Sequence, residues 1–79
     1  MITAEVAVYP LKTTDATKVI NDSINSIKQS NLDYQVNSMN TILNGNKEDV
    51  FNCIKTMFTE AEKSGGEVNM VVTIGNSSK

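Results

Sequence analysis

The chain has 79 residues, a formal net charge of −2 and one cysteine, so it is one small domain that no internal disulfide can brace. It has no His, which excludes an imidazole base, a His zinc ligand and a Ser–His or Cys–His nucleophile pair. Its seven basic residues are all lysines, so the bidentate Arg recognition of phosphate or guanine is absent, and so is the basic footprint of a nucleic-acid binder.

Residues Ile2 to Tyr9 alternate. Ile2, Ala4, Val6 and Val8 point one way; Thr3, Glu5, Ala7 and Tyr9 point the other. This is strand periodicity, and Pro10 ends it. Thr14 or Asp15 caps a helix whose apolar stripe is Ala16, Val19, Ile20, Ile24 and Ile27. Ser30-Asn31 ends it, with Asn31 suited to a left-handed C′ position. Two short strands follow, Asp33 to Asn37 and Met39 to Asn44, around a turn or bulge at Ser38. Tyr34 and Val36 read as a core-facing pair. Asn46 caps a second helix, with Asp49 in its first turn. The stripe here is Val50, Phe51, Ile54, Met57, Phe58 and Ala61, and Gly65 is the expected C′ residue. Val68 to Ile74 alternates again, with Val68, Met70, Val72 and Ile74 inward; Gly75 to Lys79 is a polar tail.

The order β–α–β–β–α–β predicts a single α+β domain over residues 1–79. It is a ferredoxin-like sandwich, a four-stranded antiparallel sheet with two helices on one face. The open face then carries Thr3, Glu5, Ala7, Tyr9, Asn69, Val71 and Thr73, and in one register Met39, Thr41 and Leu43. It is poor in Lys and Glu for a solvated face. The last strand lies at an edge, where Val71-Val72-Thr73-Ile74 invites pairing. A domain this small buries only about 60–65% of its unfolded surface. Together these features predict a homodimer or homotetramer built through the sheets. The competing reading is a half-polar face that is merely solvated.

No run approaches the ~18 apolar residues of a membrane span, and Met1 to Pro10 lacks the basic start of a signal peptide. The lone Cys53 fits a reducing compartment. The expected location is cytoplasmic, with no membrane and no nucleic-acid partner.

Few residues offer chemistry. Glu5 is the only acid expected within the sheet; it either accepts from a cation or exocyclic amine or is a solvated strand residue. Ser38, Asn40 and Thr41 gather hydrogen-bonding groups on one hairpin. They suit a heteroaromatic edge, or else are turn chemistry and β-propensity. Tyr9 and Tyr34 offer rings for stacking or for a subunit boundary. Met39 is an apolar wall or a gap filler. Cys53 has no second cysteine, and Glu48, Asp49, Glu60 and Glu62 read as solvated helix ends. Catalysis and a metal site are not expected.

The opening Met1-Ile2-Thr3-Ala4-Glu5-Val6-Ala7-Val8-Tyr9-Pro10-Leu11, with Thr13 just after, resembles the start of the small thiamine-binding protein family. Tyr34-Gln35-Val36, then Met39-Asn40-Thr41-Ile42-Leu43, then Gly45 before a helix that opens with acids, is similar to the same family. The resemblance runs from Met1 to about Ile74. Departures are Asn44, where members often have Glu, and Ser38, where Gly or Pro is common. The resemblance implies a ferredoxin-like subunit that assembles through its sheets. It also implies binding of thiamine or its hydroxymethylpyrimidine moiety, as a ligand and not as a catalytic cofactor. On it, Asn40 and Thr41 read the pyrimidine edge, Glu5 accepts from its amine, and Met39 and Tyr9 wall the ring. Ser38 belongs to the same hairpin, near a subunit interface. The alternative is a ligand-free or regulatory assembly module acting by protein–protein contact.

Overall fold

The computed structural model describes residues 1–28 and 30–77. Its elements are β1 (Ile2–Pro10), α1 (Ala16–Asn25), β2 (Asp33–Val36), β3 (Thr41–Gly45), α2 (Lys47–Gly65) and β4 (Val68–Gly75). The sheet order is β2-β3-β1-β4, and every neighbouring pair is antiparallel. This is the ferredoxin-like arrangement expected, with β2 and β4 as its edges. Of the predicted polar tail, Ser78 and Lys79 lie outside the described residues.

One core joins the sheet to α2 and to the segment that follows α1. Ala4 and Val6 of β1 and Leu43 of β3 pack with Val50, Cys53 and Met57 of α2 and with Ile27 and Leu32 beyond α1. The alternation of β1 holds: Ala4 and Val6 are buried while Thr3, Glu5 and Tyr9 are exposed. Register fixes the rest of the open face, since Glu5 pairs with Ile42 on one side and Thr73 on the other.

Register also corrects β3. Thr41 pairs with Val6 and Leu43 with Ala4, so both point to the core; they are 4% and 0% exposed. Ile42 and Asn44 take the open face instead. Met39 is not in the strand, which starts at Thr41. Tyr34 and Val36 do share the core side with Leu43 and Thr41. Both nonetheless remain exposed, because β2 is an edge at the margin of the core.

The helix ends differ in detail. Asp15 caps α1 by accepting from the Lys18 N–H at 3.1 Å. The α-helix stops at Asn25, and bonds from Ile27 N to Ile24 O and from Lys28 N to Asn25 O continue it as tighter turns. Ser26 Oγ donates back to Ser23 O, the local competition by which serine unsettles a helix. Asn31 does not adopt the left-handed form: among the described residues no non-glycine has positive φ. In α2, Asn46 accepts from Asp49 N at 2.9 Å and returns a bond from Nδ2 to Asp49 Oδ2, a reciprocal cap. The helix runs through Gly65, and Gly66 takes the positive φ of 74° while its N–H donates to Glu62 O. The buried stripe is Val50, Cys53, Met57 and Ala61. Phe51 is outside it and Cys53 inside, the reverse of the expectation.

Candidate functional site

A cavity of about 270 Å³ opens on the helix side of the sheet, between the end of β1, the inner face of α1 and the β2–β3 hairpin. Val6, Val8, Ile20, Ile24 and Met57 give it apolar walls, and no charged residue lines it. Ser23 and Thr41 stand within it, and Ser38, Met39 and Asn40 line its hairpin side.

The fold makes this space for local reasons. α1 carries its buried positions four apart, at Val19 and Ser23, and Ile27 keeps the same spacing in the turn beyond it. Ser23 is a small polar residue in the middle of that stripe, fully buried. A larger side chain there would fill the gap that Ile20 and Ile24 flank. Ser23 Oγ donates to Ile20 O at 3.0 Å, so its lone pairs remain as acceptors. Thr41 starts β3, and its inward register carries its hydroxyl to the cavity side. Among the described residues no hydrogen bond engages that hydroxyl, and no fully buried side-chain N or O there is left without a partner. The Thr41 hydroxyl therefore reaches water-accessible space, which at this position is the cavity.

The sequence-predicted residues divide between two faces. Tyr9, Ser38, Met39, Asn40 and Thr41 all line the cavity. Glu5 does not. It projects on the open face, where Asn40 Nδ2 donates to its Oε2 at 2.8 Å. Asn40 is thus shared between cavity and open face. Nearby, Thr3 Oγ1 donates to Asn44 Oδ1 at 2.6 Å, a cross-strand bond between β1 and β3. Sequence reasoning missed Val8, Ile20, Ser23, Ile24 and Met57 as cavity residues. The available signal was Ser23, a polar residue in register with an apolar stripe.

A second depression of about 300 Å³ lies where Ser26 and Ser30 meet Asp49, Asn52, Cys53 and Thr56. Cys53 is buried there, and burial pushes its thiol up to about 11, so at neutral pH it is an inert thiol. Among the described residues no three His, Cys, Asp or Glu side chains gather to hold a metal ion. Nor is any helix there long and apolar enough to cross a membrane.

The sequence profile of the thiamine-binding protein family matches residues 4–78. Nothing matches among curated proteins. Solved structures do. A protein of Streptococcus pneumoniae superposes with a TM-score of 0.90 at 19% identity, over 98% of this chain and 87% of that one. A domain of unknown function from Bacillus cereus gives 0.88 at 26% identity, over 96% and 75%. A "putative thiamine biosynthesis/salvage protein" from Thermotoga maritima gives 0.84 at 21% identity, over 96% and 83%.

Proposed function

The chain belongs to the thiamine-binding protein family, and on that premise we propose that it binds the hydroxymethylpyrimidine moiety of thiamine in the cavity beside Thr41, without catalysis. The observation that carries this reading is the charge-free cavity lined by Thr41 and Ser23. The moiety is a flat, neutral ring with one amine and ring-nitrogen acceptors. Thr41 has a hydroxyl proton free to donate to a ring nitrogen. Val6, Val8, Ile20, Ile24 and Met57 supply the walls, a pattern of apolar lining with few polar anchors.

The same chemistry sets a preference. About 270 Å³ lies just under the ~300–1,000 Å³ of pockets for drug-sized ligands, so one ring fits more readily than two. A thiazolium cation or a phosphate inside a cavity without a counter-charge loses hydration with no return. Whole thiamine then seats its pyrimidine and leaves the thiazolium at the mouth, near Tyr9 and Met39, where an aromatic ring suits a cation. The ligand is cargo or signal rather than a catalytic cofactor.

The reading includes a homodimer or homotetramer in the cytoplasm. Exposed Thr3, Val71 and Thr73 on the open face and the free β4 edge support assembly through the sheets. The test is calorimetric titration with hydroxymethylpyrimidine, thiamine and thiamine phosphate. Saturable binding of the first two, with the phosphate no tighter than thiamine, is expected. No heat from any of them, on a folded protein, would discard the ligand and leave an assembly module.

A further inference from the structure

The rim of the cavity is held from the opposite face of the sheet. A carboxylate only accepts, and Asn40 Nδ2 donates to Glu5 Oε2 at 2.8 Å. That turns Asn40 Oδ1 to Asn37 Nδ2, 3.0 Å away. Asn37 Oδ1 in turn receives Gln35 Nε2 at 3.2 Å. All three bonds run in one direction, and the carboxylate is the end that orients them. The backbone closes the same loop, with Asn37 N–H donating to Asn40 O at 2.8 Å. Between the two asparagines sit Ser38 and Met39, both lining the cavity, in a stretch without regular structure.

We infer that Glu5 is a positioning residue for the ligand cavity, acting through Asn40 on the Ser38–Met39 rim without touching the ligand. The inference rests on the cavity being the ligand site. Glu5 is exposed on the open face and does not line the cavity, whereas Asn40 both lines it and bonds Glu5. Removing the acceptor leaves three amides with no fixed orientation, and a chain of mutually polarised bonds weakens together. The rim then samples many shapes, and the ligand must reorder it on binding.

Swapping the two groups tests this. Asn40→Asp sets two carboxylates against each other and pushes the hairpin off β1. Affinity for hydroxymethylpyrimidine should fall about tenfold or more, the scale of one lost charge-assisted bond. The double variant Glu5→Gln/Asn40→Asp restores the bond with its direction reversed. The new amide donates to the new carboxylate, which still accepts from Asn37, and the net charge equals that of the original chain. Affinity should return to within about threefold, or roughly 0.7 kcal/mol. If Glu5 or Asn40 instead contacts the ligand through its native group, the double variant stays as weak as the single one, and the inference falls. Hydrogen exchange of the Asn37 N–H gives a ligand-free readout: faster in Asn40→Asp, recovered in the double variant. If Asn40→Asp does not fold, Glu5→Ala serves for both readouts, with the same loosening expected. If the original chain binds no probe, the ligand reading fails by itself, and the exchange arm still decides. Unchanged exchange in the single variant overturns the positioning role.

Discussion

Replacing Thr41 with valine separates binding from stability. The two side chains have nearly the same shape, and Thr41 is buried at the start of β3 against Val6. Its hydroxyl has no protein partner among the described residues and opens on the cavity. Thr41→Val therefore removes no internal hydrogen bond and places a methyl on an apolar wall. Stability should hold or rise by a few tenths of a kcal/mol up to ~1, because one apolar group of about CH₂ size is gained. In a domain of this length that is at most ~4–8 °C in melting temperature. The ligand sees the opposite. A ring nitrogen taken from water into the cavity loses its only donor, which costs about 1–3 kcal/mol, or roughly a 5- to 150-fold weaker Kd. Calorimetry with hydroxymethylpyrimidine and a melting curve on the same sample measure both. Unchanged affinity would remove Thr41 from the site. A fall of several degrees in melting temperature would mean the hydroxyl has an internal partner, and the reasoning about its freedom would be wrong.

Three further outcomes concern the scaffold. The Lys18 ammonium, bonded to Asp22 at 2.8 Å, and then the Ser64 hydroxyl hold the Asp22 carboxyl below its usual 3.8. Its contribution is present above the ordinary carboxylate range and is lost as pH falls through the depressed value. Asp22→Asn should lower the melting temperature at pH 7, and the gap should close in acid; a gap constant with pH would refute the pairing. Gly65→Ala would set a methyl 2.9 Å from Val19 Cγ2. Val19 is buried and β-branched, so it cannot turn aside. The overpacking, about 1–3 kcal/mol, should outweigh the ~1 kcal/mol gain in helix propensity, and urea unfolding should show a net loss that Val19→Ala in the same chain relieves. Cys53, buried with its thiol pushed up to about 11, should resist iodoacetamide at pH 8 in the native protein and react fully in urea; rapid native labelling would contradict its burial.

How much the chain disclosed depended on how unambiguous each local pattern was. Ile2 to Tyr9 alternates cleanly between apolar and polar, and β1 formed as read, with Pro10 as its last residue. Asn46 and Asp49 carry their cap three positions apart, and the reciprocal bonds are present. The run Met39 to Asn44 has apolar residues at both parities, so alternation alone did not choose a face. Its register was settled by pairing with β1, forty residues away in sequence, and Thr41 went inward. Phe51 and Cys53 are both apolar enough for the buried stripe of α2; which one faces the sheet depends on the helix's rotation against β1 and β3. The hairpin was legible as a candidate because Ser38, Asn40 and Thr41 crowd it, and all three line the cavity. The contact between Glu5 and Asn40 was not legible as such, because it comes from strand order and not from spacing. Ser23 was overlooked because a serine in a helix ordinarily signals its solvated side.

The most direct test of the account is an amide-correlation NMR titration of the intact chain with hydroxymethylpyrimidine. The account predicts saturable shifts at Val8, Ser23, Ile24, Ser38, Met39 and Thr41 around the cavity, with little change at Val71 and Thr73 on the open face. Shifts confined to Val71, Thr73 and Thr3 would place the ligand on the sheet and contradict it.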